Sequence, residues 1–132
     1  MITKKILEPD RIRHIDGGFS FIPHRFLSDG FLASLSQEEI LLYLFLILAS
    51  DRYGLSFYSY DSICSLLQIT ADQYIDARNA LIKKDLIAFD GSIFQVLDLP
   101  EKPIRLFTAK SDEAISVAQM IRQSLKEADG GW

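Results

Sequence analysis

The chain has 132 residues, 48% of them hydrophobic and 24% charged, which is the size and balance of one ordinary globular domain. Its net charge of −4 and its pI of about 5.1 count against indiscriminate nucleic-acid binding, which depends on lysine and arginine. The longest apolar run is too short to cross a bilayer, and the first residues lack the apolar core of a signal peptide. The only cysteine, Cys64, is expected to be a buried small hydrophobe. We therefore expect a cytoplasmic protein without membrane contact.

The first third of the chain is predicted to be an arm followed by helical structure. Residues 1–18 look irregular and end in two glycines. Pro23 suits the first turn of a helix, where its missing N–H costs nothing. Apolar residues then recur at helical spacing around Gly30, which predicts either one helix or two short helical turns over residues 23–35.

A continuous apolar run, ILLYLFLILA, occupies residues 40–49. Ser36 and Glu39 form a capping-box pattern in front of it, so we predict a helix over residues 37–50. A helix that is apolar on every side must be covered on every side. Either the rest of the chain or a second copy of the protein has to supply that cover.

The middle of the chain predicts a short strand and two helices joined by a tight turn. The strand is expected at residues 55–58 and the first helix at 60–67, with Ile63, Leu66 and Leu67 facing inwards. Thr70 and Gln73 form a second capping box that opens a helix over residues 70–84. Tyr74, Ala77, Leu81 and Ile82 recur near i, i+3, i+7 and i+8 and are predicted to form the apolar side of that helix.

The pattern then changes from helical to extended. Two strands are predicted at residues 86–89 and 92–97, joined at Asp90-Gly91, a strong hairpin signal. Two prolines mark a linker, and a final helix is expected at about residues 112–128. The chain thus divides into an arm (1–18), a central domain (19–99), and a linker with a C-terminal helix (100–132).

A helix-turn-helix followed by a two-stranded hairpin is a winged helix. The fold class is therefore mainly α with a small antiparallel sheet (α+β), a winged helix-turn-helix with an additional C-terminal helix. Three stretches of residues 19–99 carry a resemblance: Ile22-Pro23, LSQEEILLYLFLILASDRYGLSFYSYDSIC, and ALIKKDLIAF, in which Asp85 stands where many winged helices have glycine. On these stretches, residues 19–99 resemble the N-terminal domain of DnaD-type replication initiation proteins and small winged-helix proteins of bacterial mobile elements.

No motif points to catalysis. Neither His14 nor His24 has the spacing of a metal pair, and the chain has no glycine-rich phosphate loop and no nucleophile-elbow serine. We therefore expect a protein that is not an enzyme and has no metal or cofactor.

The second helix of a helix-turn-helix enters the major groove. With Tyr74, Ala77 and Leu81 in the core, the polar side chains of residues 70–84 would face outwards. Glutamine and asparagine can read adenine and arginine can reach guanine or phosphate, whereas aspartates weaken attraction to phosphates. The candidate DNA-binding residues are Thr70, Gln73, Asp76, Arg78, Asn79 and Lys83.

Other cations are candidates for contacts with phosphates, and the arm could lie along a groove of the DNA. These candidates are Arg11, Arg13, Arg52 and Lys84. The alternative is that they are ordinary solubilising charges, since positive and negative side chains are mixed.

The aromatic residues Phe57, Tyr58 and Tyr60 allow two interpretations. They form a stacking platform for a single strand, or Phe57 packs inwards and one tyrosine fills an interface. The apolar helix at 37–50 suggests a homodimer, and DnaD-type domains self-associate, which the resemblance implies here. The predicted interface residues are Leu42, Phe45, Leu46 and Tyr58. In the alternative, the sheet and nearby phenylalanines bury everything, namely Phe19, Phe21, Phe26 and Phe31.

The preferred function is binding of double-stranded DNA by a small replication or transcription factor, with a mobile element as one setting. The alternative is a winged helix kept for protein–protein assembly, with little or no DNA binding. A steep loss of DNA affinity with added salt favours the first, and a stable dimer without DNA binding favours the second.

Overall fold

The computed structural model describes residues 2–105, and the structural statements below refer to that part of the chain. The elements in chain order are α1 (Arg25–Ser28), α2 (Gln37–Ala49), β1 (Leu55–Ser56), α3 (Tyr60–Leu67), α4 (Ala71–Lys83), β2 (Ile87–Phe89) and β3 (Phe94–Val96). Single 3₁₀ turns occur at Pro9–Arg11 and Leu32–Ser34. The helix predicted at 112–128 lies outside the described residues. Among residues 2–105, no helix has both the length and the apolar character needed to span a bilayer.

Residues 23–35 form two short helical pieces before α2 and not one helix, which was the second of the two predicted alternatives. α1 and the 3₁₀ turn are separated at Gly30, which has a φ of 90°. Phe26 and Phe31 from these pieces are buried, with their rings stacked at 6.3 Å. Phe19 and Phe21 remain exposed, so they do not contribute to the core as one alternative required.

Helix α2 begins where its capping signal predicts. The Ser36 hydroxyl accepts the Glu39 N–H at 3.3 Å and donates to Oε2 of Glu39 at 2.9 Å. Leu42, Tyr43, Leu46 and Ile47 are buried on one side of the helix. Within the described residues, the opposite side is not covered by the chain itself, which was the first of the two expected sources of cover, and its exposed leucines are Leu41, Leu44 and Leu48.

The two helices of the central motif are joined at Gln68, which ends α3 in the left-handed conformation with φ 56°. α4 follows after Thr70, and both hydrogen bonds of the predicted capping box are present. Ile63, Tyr74, Ala77 and Leu81 are buried as predicted. Leu66 and Ile82, also predicted to face inwards, are exposed, because the apolar stripe covered by neighbouring elements is narrower than the sequence pattern.

The sheet has the order β1-β3-β2, and both pairs are antiparallel. Phe89 pairs with Phe94, so the hairpin connection spans residues 90–93 and is wider than the predicted two-residue turn. The Asp90 carboxylate closes this connection by accepting the N–H groups of Ile93 at 2.7 Å and Ser92 at 2.8 Å. These bonds hold the pKa of Asp90 below its usual range, the Ile93 N–H having the larger effect. The described residues thus form a mainly helical structure with a small antiparallel sheet, as predicted, and this arrangement fits a winged helix-turn-helix.

Lys84, predicted to contact DNA phosphate, is instead buried at the end of α4. Its Nζ lies 2.5 Å from Oε1 of Glu39 and donates to the Ser34 carbonyl at 2.7 Å. The chain turns immediately afterwards at Asp85, which has φ 61°, the conformation that favours glycine. The phosphate prediction for Lys84 was wrong because the end of α4 packs against the start of α2 and draws the lysine inwards.

Arg25 on α1 holds the chain that leaves the sheet. Its guanidinium donates to the carbonyls of Leu99 at 3.4 Å, Pro100 at 2.7 Å and Glu101 at 3.0 Å, and it pairs with Asp29 at 3.2 Å. It also lies over the Phe31 ring, 5.2 Å from the centroid. This set of contacts, which we call the Arg25 clamp, fixes the start of the linker against α1.

Candidate nucleic-acid interface

The surface that could meet DNA is the side of α4 opposite its buried residues. Because Tyr74, Ala77 and Leu81 face the core, Asp72, Asp76, Asn79 and Lys83 form an exposed stripe along the helix. The predicted candidates Asp76, Asn79 and Lys83 therefore share one solvent-accessible face. Lys83 is the cation on this stripe, whereas Asp72 and Asp76 would oppose phosphates.

The capping box restricts two of the predicted base-reading residues. The Thr70 hydroxyl accepts the Gln73 N–H at 3.1 Å, and Oε1 of Gln73 accepts the Thr70 N–H at 2.9 Å. A bidentate contact with adenine needs both the carbonyl and the amino group of the glutamine side chain. While the box is closed, the bond from the Thr70 N–H fixes the orientation of the Gln73 side chain, so a bidentate contact at this position competes with the cap of α4.

Arg78 is held between α4 and the hairpin. Its guanidinium lies 5.4 Å from the Tyr74 ring centroid and 5.3 Å from that of Phe89. Its Nε and Nη2 donate to Oδ1 of Asn79 at 3.4 and 3.3 Å. Cation–π contacts of this kind attach the hairpin to the helix. Asn79 keeps its amino group for a partner outside the chain.

The predicted phosphate-binding cations other than Lys84 are exposed but lie on separate elements. Arg52 is in the turn before β1, with its guanidinium 4.9 Å from the Tyr53 ring centroid. Arg11 ends the 3₁₀ turn of the arm and Arg13 follows it. Residues 2–22 are exposed throughout, so the arm does not pack against the helices as part of the core.

The charge of the central domain is unfavourable for contacts with phosphates. Residues 19–99 carry ten carboxylate side chains and five cationic ones. Arg25 and Lys84 are already engaged in ion pairs with Asp29 and Glu39. The remaining cations of this domain are Arg52, Arg78 and Lys83, and a duplex would meet more negative than positive charge.

An aromatic groove of about 720 Å³ lies beside α4, between the helix, the hairpin and the loop that precedes α3. Phe57, Tyr58, Tyr60, Tyr74 and Phe89 supply its rings, and Arg78, Ala71, Ile75, Ser59, Gly91 and Ser92 complete its lining. Sequence reasoning found the first three rings but did not connect them with Arg78 and the hairpin. Only the folded arrangement brings these separate segments together.

Phe57 is 71% exposed, so the interpretation that it packs inwards was wrong. β1 ends at Ser56, and it is Ser56 that points into the core, which leaves Phe57 on the opposite side. The Tyr58 ring contacts the Phe45 ring edge-on at 5.1 Å within the same chain.

Two of the predicted dimer-interface residues are unavailable to a partner. Leu42 and Leu46 are completely buried in the core of the chain, so this part of the prediction was wrong. In an all-apolar helix the sequence does not reveal which side faces the core. The side open to solvent carries Leu41, Leu44 and Leu48, which we call the leucine stripe, and Phe45 beside it is half-buried.

A family described as a helix-turn-helix domain matches residues 33–87, which run from the turn before α2 to the start of β2. No curated protein and no solved structure gives a significant match to the chain. The matched range contains α2, α3 and α4 together with the turn at Gln68. It therefore supports the helix-turn-helix and indicates DNA binding at the level of that domain type.

Proposed function

We propose that the protein binds double-stranded DNA by placing α4 in the major groove. The observation that carries this proposal is the capped, solvent-exposed face of α4, set beside a hairpin in a chain that matches a helix-turn-helix family. The finer proposal is a small cytoplasmic replication or transcription factor, in keeping with the resemblance to DnaD-type and mobile-element proteins. We propose no catalytic step and no cofactor for this role.

The contacts divide into those that read bases and those that hold phosphates. Asn79 can donate to a base edge through its amino group, and Asp76 can accept from the cytosine amino group. Lys83, Arg52 and the arm residues Arg11 and Arg13 supply the phosphate contacts. In a plot of the logarithm of affinity against the logarithm of salt concentration, four such contacts would give a slope of roughly −3.6, and fewer contacts would give a shallower slope.

The negative charge of the central domain gives this proposal a distinctive consequence. Non-specific binding depends on charge alone, whereas specific binding adds base contacts. We therefore expect weak binding to random duplexes and a large ratio of specific to non-specific affinity.

Footprinting against fragments of the source genome, followed by fluorescence anisotropy on the protected site, tests the proposal. Asn79→Ala should reduce preference for that site, and Lys83→Gln should weaken binding to all duplexes and lower the salt slope by about 1. Asp29→Asn, directly after α1 and away from the exposed face of α4, is the control and should leave sequence preference unchanged. Absence of duplex binding at low salt would refute the proposal.

A second candidate, assembly with a copy of itself, is favoured by the leucine stripe. Leu41, Leu44 and Leu48 lie on one side of α2, and Leu48 is 68% exposed. Exposed apolar patches of this kind mark interaction sites. Sedimentation equilibrium should then show a dimer that Leu48→Glu dissociates and Leu66→Glu, at an equally exposed leucine on α3, does not. A monomer at high concentration would exclude this candidate.

A further inference from the structure

The aromatic groove has walls suited to a flat ring. Phe57 and Tyr60 are exposed at its edge, and the Tyr60 ring lies 6.4 Å from the Tyr74 ring inside it. The Phe89 ring on the other side stacks at 4.3 Å on Phe94, which is completely buried. The inner rings are therefore fixed by the core, whereas Phe57 offers a free face. The volume lies within the roughly 300–1,000 Å³ typical of small-ligand sites.

Arg78 is the charged side chain that lines this groove. Its Nε and Nη2 bond to Asn79, and among residues 2–105 no acceptor is found for its Nη1 amino group. An oriented guanidinium among aromatic rings suits a planar ligand with carbonyl or ring-nitrogen acceptors at its edge. It disfavours a lysine- or arginine-bearing peptide, because the like charges would repel.

We infer that the aromatic groove binds an unpaired nucleobase of a DNA strand. The base would stack against Phe57 and Tyr60, with its acceptor edge towards Arg78. This inference rests on the proposed DNA binding, since α4 would bring a strand beside the groove. It adds that the protein prefers DNA with an unpaired segment next to the duplex that α4 occupies.

The test compares a blunt duplex that carries the site protected in the footprint, the same duplex with an unpaired thymine-rich tail, and the tail alone, each measured by fluorescence anisotropy with the full chain. The tailed duplex should bind about ten-fold more tightly than the blunt one, which corresponds to about 1.4 kcal/mol and lies within the range for base–aromatic stacking. Phe57→Ala should abolish the difference, and Phe57→Tyr should retain it. Phe21→Ala, at a phenylalanine that is 78% exposed outside the groove, should leave it unchanged.

The outcomes separate this inference from the proposed function. Binding to blunt and tailed duplexes with equal affinity, or equal losses in Phe57→Ala and Phe21→Ala, overturns the groove as a base site and leaves duplex binding intact. A third outcome is Phe57-dependent binding to the tailed duplex and to the tail alone, without any binding to the blunt duplex. This outcome supports the groove as a base site and refutes the placement of α4 in the major groove. No binding to any of the three DNAs overturns both, and a peptide would then be the occupant to seek.

Discussion

Replacing Lys84 by methionine should destabilise the protein more than any other exchange of a charged residue in α4 or at its end. The side chains of Lys84 and Glu39 are only 8% and 13% exposed, so the pair is nearly removed from water. Removing one partner of a buried pair leaves the other charge uncompensated and costs about 3–5 kcal/mol. The Ser34 carbonyl loses its donor as well. We therefore expect Lys84→Met to lower the free energy of unfolding by about 4 kcal/mol, a large part of the roughly 5–15 kcal/mol typical of a domain.

Urea denaturation followed by circular dichroism measures this loss. Lys83→Met is the matched control, because Lys83 precedes Lys84 and is exposed, and its effect should stay within about 0.5 kcal/mol. The double variant Glu39→Gln/Lys84→Met removes the unpaired charge and should recover at least about 2 kcal/mol of the loss. Equal stabilities of Lys83→Met and Lys84→Met would refute the reasoning, as would a double variant no more stable than Lys84→Met.

Three further predictions concern backbone conformation and the hairpin. Gly54 has φ +83°, and an added Cβ would lie 2.6 Å from the Val96 carbonyl oxygen, so Gly54→Ala should cost about 2 kcal/mol or more in urea denaturation. A cost near zero would mean that the β1–β3 contact can shift. Asp85→Gly removes a side chain from a left-handed residue and should raise stability by up to about 1 kcal/mol, seen as a melting temperature a few degrees higher. A lower melting temperature would contradict this. The Asp90 carboxyl should titrate by NMR at a lower pH than an aspartate in an unfolded peptide, because the N–H groups of Ile93 and Ser92 favour its ionised form. These bonds stabilise the hairpin turn above the unfolded pKa, and the stabilisation is lost as the pH falls through the folded pKa. A midpoint at or above the peptide value would show that the turn does not hold in solution.

The helices could be predicted because their ends carry local signals. Ser36, Ser59 and Thr70 each cap the helix that follows, and side-chain hydrogen bonds of this kind depend only on neighbouring residues. The two strands of the hairpin and their antiparallel pairing could also be predicted, because the spacing of apolar residues changes from helical to extended after residue 85. Asp85 was identified as a substitute for glycine, and its positive φ gives the physical reason for the glycine that other chains carry there.

The incorrect predictions concern residues whose burial is decided by contacts with distant segments of the chain. Lys83 and Lys84 are equivalent in the sequence, and only the packing of Ser34 and Glu39 against the end of α4 makes one of them internal. The same holds for α2, in which ten consecutive apolar residues hide the difference between the buried Leu42 and the exposed Leu41. Phe57 was assigned to the wrong face because β1 is only two residues long and a polar residue, Ser56, occupies the inward position.

The Arg25 clamp explains how the chain can leave the sheet through a proline-containing segment. Every bond that Arg25 makes to this segment is accepted by a backbone carbonyl, so the missing N–H of Pro100 removes nothing. These three bonds are therefore indifferent to side-chain identity at residues 100 and 101, whereas Leu99 also packs its side chain against the core. Substitutions at residues 100 and 101 would be tolerated over evolution, whereas losing Arg25 would leave the exit segment held at Leu99 alone and more open to proteolysis.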